Sequence, residues 1–169
     1  MQTFLAYENL QHSFLCLDKK RLFKQVVESG QILNILDKER SGVTEKIGWQ
    51  NHPATRMWRN WYDALVLYYN INVEILLEQK FKLVKTKFRN FSNGCSWQGH
   101  KFNPFSIDMP PFIGYTPFHE IHRANLVRKD TDRYGAMWPD IQPVEGYLWP
   151  VDEQGNVIAE ITNWKNSQQ

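Results

Sequence analysis

Cysteine is scarce: Cys16 and Cys95 are the only two in 169 residues. Two thiols make neither a disulfide framework nor, by themselves, a zinc site, and they read as reduced thiols of an intracellular protein. Long apolar runs are missing too. Nowhere do the roughly 18 apolar residues of a membrane span stand together. The first twenty residues lack a basic start and a sustained apolar stretch, so neither secretion nor a membrane partner is indicated. Charge of one sign is also in short supply, since 20 Lys+Arg against 18 Asp+Glu leave +2. The total therefore does not argue for a nucleic-acid partner, and only the placement of the charges can. No phosphate-cradling glycine loop, nucleophile elbow or dinucleotide fingerprint occurs, which removes several large enzyme classes and leaves no expected cofactor.

What is present is a globular composition, 42% hydrophobic and 22% charged, with an aromatic share of 14% that includes seven Trp. A chain of this length forms one domain with a real core. The aromatic excess suggests stacking or wedge surfaces beyond the needs of that core.

Helical signals dominate. Asp18 can cap a first main helix over about Lys19 to Leu36, with Leu22, Val26, Ile32, Leu33 and Leu36 at helical spacing and Gly30 as a mild defect. After a charged loop, Asn51-His52-Pro53 opens a second helix to about Asn70. Met57, Trp61, Leu65 and Tyr68 form its inward face. Asn70-Ile71-Asn72 is expected to bend the chain before a third helix from Val73 to about Lys87. Lys80, Lys82, Lys85, Lys87 and Arg89 form the densest basic run, at the far end of that helix. Asn90 to Thr116 reads as a long packed loop, and Pro117 starts a last helix through about Lys129. Residues Asp152 to Trp164, with a turn at Glu153-Gln154-Gly155-Asn156, can form a small hairpin. The fold class is mainly α, a single-domain helical bundle with long loops.

Two constellations carry chemistry. On the first helix Arg21, Lys24, Gln25 and Glu28 share one face, where the cations can hold phosphate, Gln25 can read a base and Glu28 can act as acid or base. The same spacing also fits a solvated surface with Lys24 and Glu28 as an i,i+4 pair. On the last helix His119, His122 and Arg123 can meet on one side, and Asn125, Arg128 and Lys129 extend a basic, hydrogen-bonding surface. Adding His100 would make a metal set, but the spacing is not that of a zinc helix and a fourth ligand is undefined. No metal is assigned. His52 can cap its helix or contact a ligand. Tyr147 and Trp149 can close the core or form a stacking platform.

Taken together, Met1-Gln2-Thr3-Phe4-Leu5, Leu17-Asp18-Lys19-Lys20-Arg21-Leu22-Phe23-Lys24-Gln25 with Glu28 and Gln31, Trp49-Gln50-Asn51-His52-Pro53 with Met57-Trp58, His122 to Lys129, and Tyr147-Leu148-Trp149-Pro150 resemble the pyrimidine-dimer DNA glycosylases. These are the phage endonuclease V group, here its branch with an MQTF start. The resemblance covers about residues 1–150, interrupted at about 90–116, and leaves 151–169 as a C-terminal extension. It implies a helical protein that binds duplex DNA at a damaged or modified pyrimidine, kinks it and flips a nucleotide out of the stack, in the cytoplasm of a bacterium or a phage-infected cell.

In the family's repair enzymes a threonine amine exposed by loss of the initiator Met attacks the sugar, a helix glutamate assists, and β-elimination nicks the strand. Here position 2 is Gln, whose bulk opposes removal of Met1. The resemblance then assigns catalytic roles to Glu28, Asp18 and the amine of Met1, an α-amine being partly neutral near pH 8. DNA contacts fall to Arg21, Lys24, Gln25, His52, Arg56, His122, Arg123, Asn125, Arg128 and Lys129. The activity expected is base excision with doubtful lyase activity. A catalytically silent DNA-binding protein on the same scaffold is the alternative, and no obligate protein partner is evident.

Overall fold

The computed structural model describes residues 1–43, 45–80, 86–99 and 107–168. Its architecture follows from one apolar helix. Residues Tyr62–Glu78 (here α4, in chain order) are buried almost all round, from Ala64 through Asn70 and again at Asn72, Val73, Ile75 and Leu76. A helix apolar on every side must be surrounded. The long helix Lys19–Arg40 (α2) packs along it, and Leu10–Leu15 (α1) and Pro53–Trp58 (α3) add shorter contacts. Thr116–Lys129 (α5) and Thr131–Met137 (α6) pack on each other, and Ala159–Asn166 (α7) closes the chain. The described residues contain seven helices and one isolated β-bridge, so the fold is mainly α. None of these helices is long and apolar enough to cross a membrane.

Local chemistry accounts for the boundaries. Asp18 caps α2 by accepting from Arg21 N at 3.0 Å, and His52 caps α3 by accepting from Ala54 N at 3.1 Å. Gly30 is more than a defect: a Cβ there would lie 3.3 Å from the Tyr69 ring, so its absence lets α2 approach α4.

Four expectations need correction. The second helix is not continuous. Arg59 to Trp61 form a turn, with Trp61 N donating to Trp58 O at 2.9 Å, while Arg59 forks onto Glu39 at 3.0 and 3.1 Å. The predicted bend at Asn70-Ile71-Asn72 is absent, because both asparagines are buried and used. Asn70 pairs with the Arg89 backbone at 2.9 and 2.8 Å, and Asn72 donates to Leu22 O at 3.2 Å. The third helix is therefore the end of α4, which stops where Lys80 takes a left-handed φ of 61°. Of the basic run, Lys82 and Lys85 lie outside the described residues, and Arg89 is bound to Asn34 and Asp37.

The C-terminal hairpin reduces to one bridge, Val151 to Val157, around the expected turn. Beyond it the chain is helical because Ile161 and Trp164, three apart, face inward together. Ile161 is fully buried and Trp164 packs 5.4 Å from the Tyr115 ring. The expected long loop is anchored by buried Phe91, Phe112 and Tyr115.

Residues 1–6 belong to no helix, yet Gln2 to Ala6 are buried. Their polar groups are met by side chains from the helices around them. Phe4 N donates to Gln25 Oε1 at 2.8 Å, Tyr68 Oη shares its one proton between Gln25 Oε1 at 2.7 Å and Phe4 O at 3.1 Å, and Trp58 Nε1 donates to Thr3 Oγ1 at 3.0 Å. From α5, His119 Nδ1 binds Leu5 O at 2.7 Å and Arg123 donates to Ala6 O at 2.9 Å.

Thr3→Val keeps the shape of the side chain but leaves the buried Trp58 N–H without an acceptor. A loss of about 2 kcal/mol is expected, or roughly 4–8 °C in Tm, with Thr3→Ser near wild type. An unchanged melting temperature for Thr3→Val would show that this contact carries no weight.

Candidate functional site

The buried N-terminal segment brings position 2 against Glu28. Gln2 N donates to Glu28 Oε2 at 2.8 Å, and Lys24 Nζ lies 3.4 Å from Glu28 Oε1. The Glu28 side chain is only 12% exposed, so its carboxylate is largely withdrawn from water and held by a backbone donor and a cation. It lines two cavities at once.

The first cavity, about 270 Å³, is floored by Gln2 and Phe4, walled by Tyr147, and rimmed by Lys20, Arg21, Lys24 and Lys129. The rim is cationic, with Lys20 and Lys129 beside an Arg21 that is ion-paired with Asp18 and Asp130 and a Lys24 paired with Glu28. Burial, then the charges of Arg128, Arg21 and Lys24, hold the Lys129 ammonium below its ordinary pKa against the pull of Glu28. An incoming anion relieves that repulsion. Gln2 Nε2 donates to Thr3 O at 3.0 Å, while Gln2 Oε1 is buried with no partner among the described residues. The second cavity, about 440 Å³, lies between Met1, Glu28 and Trp49, with Gln31, Asn34, Ile35 and Gly48 completing its wall.

The expected site residues divide into two groups. Glu28, Arg21, Lys24 and Lys129 meet at the first cavity, and Met1 at the second. Arg128 is exposed beside them, its charge felt by Tyr147 and Lys129. Arg21 also donates to Lys129 O at 3.1 Å, tying the start of α2 to the end of α5.

His52 is half-buried. Burial and the nearby N-terminal amine push its pKa down against the opposing charge of Glu28, so it stands neutral beside the site. Its ring meets Trp49 at 5.4 Å and Trp149 at 6.0 Å. Arg56, on α3, lines neither cavity.

The second group is structural. Gln25 is fully buried, with its Oε1 shared between Phe4 N and Tyr68 Oη, the latter at 2.7 Å, so it cannot reach a base edge. Its place on the helix face is as read, but the N-terminal segment covers it. Asn125 is fully buried and donates to Ile121 O and Gly146 O. Arg123 is spent on Ala6 O and on Glu120.

His122 is 1% exposed and accepts from Leu5 N at 3.4 Å. His119 uses both ring nitrogens, one on Leu5 O and one accepting from Gly114 N at 2.9 Å. The metal set therefore loses His119, and His100 lies outside the described residues. No group of three potential metal ligands occurs among the described residues.

Asp18 serves the fold. Although partial burial opposes it, hydrogen bonds from Arg21 and Tyr134 hold its carboxyl down at about 2. Permanently ionised and committed to its cap, it is a poor proton carrier near neutral pH.

Sequence reasoning missed the parts played by Gln2, Phe4 and Lys20, and treated Tyr147 as packing or platform without linking it to Glu28. The available signal was the apolar Phe4-Leu5-Ala6 directly after the start, which marks a segment that must be covered.

The structure thus sets a largely buried carboxylate beside a recess with a cationic rim. The family model for pyrimidine dimer DNA glycosylases matches residues 1–85, half of the chain, and the protein belongs to that family. The matched stretch holds Gln2, Arg21, Lys24, Glu28, Trp49 and His52, whereas Lys129 and Tyr147 lie beyond it. No curated protein and no solved structure matches the chain. Membership points to DNA glycosylase activity on pyrimidine lesions, with dimer-containing DNA as the substrate.

The buried histidines set a pH dependence. Burial pushes His122 down to about 3, and His119 is also lowered, mainly by burial. A folded-state pKa below the unfolded value of about 6.5 gives stability that is complete above pH 6.5 and lost as pH falls toward 3. His122 alone should cost about 2 kcal/mol between pH 6.5 and pH 5. Denaturant titrations at pH 7 and pH 5 check this, with ring NMR showing His122 neutral at both. Equal stabilities would contradict its burial in the neutral form.

Proposed function

We propose that the protein is a DNA N-glycosylase in which Glu28 is the general acid/base. The nucleotide it acts on swings out of the duplex, with its sugar at the first cavity. The observation that carries the reading is the Glu28 carboxylate, withdrawn from water, held by Gln2 N–H and facing a recess with four cations.

The chemistry follows from the site. As the bond to the base breaks, positive charge develops on the sugar, and an adjacent carboxylate stabilises it and can take a proton from attacking water. Arg21, Lys24 and Lys129 hold flanking phosphates, with Arg128 adding field, and His52 and Arg56 contact DNA further out. A chain nitrogen already bonded to Glu28 at position 2 is an amide, not a nucleophilic amine. This favours water as the nucleophile and excision without strand cleavage by the enzyme. The Met1 amine, at the second cavity, is the alternative nucleophile. The catalytic unit is taken as residues 1–150 with 151–169 as a C-terminal extension, and a DNA-repair role supports a cytoplasmic location.

The test uses UV-irradiated and base-modified duplexes, with alkali to reveal abasic sites. Wild type should excise, and Glu28→Gln, which preserves the acceptor for Gln2 N–H, should lose at least about a hundredfold in rate while binding DNA normally. Lys24→Ala and Lys129→Ala should weaken binding and each lower the salt slope by roughly 0.9. Borohydride trapping should yield no adduct; an adduct mapped to residue 1 would make the Met1 amine the nucleophile, and one mapped to Lys20, Lys24 or Lys129 a lysine of the first cavity. Salt-dependent binding with no excision on any substrate would establish the silent DNA-binding reading instead.

A further inference from the structure

Trp49 is the most exposed large hydrophobic residue among those described, at 66%. It also holds a left-handed φ of 65°, which a bulky side chain rarely adopts. Among the described residues the other non-glycine in that region, Lys80, ends a helix; Trp49 ends none.

Its turn is fixed from several sides. Trp49 O accepts from His52 N and from Thr55 Oγ1, both at 3.0 Å, and Arg59 donates to Gln50 O at 2.8 Å while forking onto Glu39. A strained backbone clamped this firmly, with a large indole left in solvent, returns nothing to the core. What it achieves is an aromatic wall, carried on a fixed backbone, for the second cavity that Met1 and Glu28 also line.

The chemistry of that cavity selects an occupant. No Lys or Arg side chain lines it, its ionisable groups being the Met1 amine and Glu28, whereas the neighbouring cavity on the other side of Glu28 has four such side chains. Phosphates belong in the latter. A ring with an apolar face and a polar edge suits the former, where the indole offers a stacking surface and the Gln31 amide, with no hydrogen bond of its own among the described residues, offers a donor and an acceptor. Bare backbone at Gly48, with open space where a Cβ would stand, keeps the mouth wide.

We propose that Trp49 is a base-stacking residue: its indole holds an extrahelical nucleobase in the cavity beside Glu28, and Gln31 contacts the edge of that base. This rests on the glycosylase reading for the identity of the polymer, but its test does not depend on excision.

The full-length protein is titrated with a duplex carrying one unpaired 2-aminopurine and with the fully paired duplex. Wild type should prefer the bulged duplex, and Trp49→Ala should lose roughly tenfold on it while changing little on the paired one. Trp49→Phe should recover most of the loss. Trp49→Gly should melt above Trp49→Ala, because the left-handed backbone suits glycine, yet bind the bulge equally weakly, which separates the effect from folding. Equal affinity of wild type and Trp49→Ala for the bulged duplex would overturn the assignment whether or not the enzyme excises. Loss of self-association in Trp49→Ala, showing the indole to be a contact with a second copy, would overturn it as well. Excision by wild type and its loss in Glu28→Gln judge the glycosylase reading separately.

Discussion

Six residues of irregular chain run through the middle of this helical protein, and a buried backbone outside any helix or sheet must find hydrogen bonds elsewhere. They come from α2, α4 and α5. Glu28 and Gln25 take amide protons from Gln2 and Phe4, Tyr68 donates to the Phe4 carbonyl, and His119 and Arg123 hold the carbonyls of Leu5 and Ala6. Leaving one such group unpaired costs about 1–3 kcal/mol, so these side chains are as constrained as any in the apolar core. The same threading delivers position 2 to a carboxylate and Met1 to the surface beside it.

That constraint explains why residues on one helix face have different fates. Arg21, Lys24, Gln25 and Glu28 share their spacing, but the N-terminal segment lies over the middle of the face and leaves its rim open. Gln25 falls beneath the segment, Glu28 at its edge, and Lys24 outside it, with its side chain 65% exposed. On α5 the inward positions His119, His122 and Asn125 serve packing, while Lys129, at the end of the helix, reaches the cavity. Glu28 alone is both a strut and a lining residue of the two cavities, and the proposed reactive group. Its bond to Gln2 fixes its orientation, and the cavities on either side give it access to a ligand.

Much of this was legible in the residues. The cap at Asp18, the start at Pro53, the inward set Met57, Leu65 and Tyr68, and the basic helix ending at Lys129 follow from local rules that the structure obeys. The interruption between α3 and α4 was not, since it contains neither Gly nor Pro and arises from Arg59 reaching across to Glu39 and Gln50. Nor was the continuity of α4 through two asparagines, which depends on partners at Leu22 and Arg89 remote in sequence. Period two and period three are hard to separate over eight residues, so α7 passed for a strand. Metal-like spacing at His119 and His122 misled for a similar reason: on one helix it cannot distinguish a ligand pair from two struts for a neighbouring chain.

The most direct test of this account is residue-resolved hydrogen exchange of the N-terminal amides in the full-length protein. The bonds to Glu28, Gln25 and His122 require the amides of Gln2, Phe4 and Leu5 to exchange as slowly as those of α4, opening only when the whole fold opens. Exchange of these three within seconds, at the rate of an exposed loop, would mean that the segment is not threaded through the bundle and that Glu28 is not held beside it.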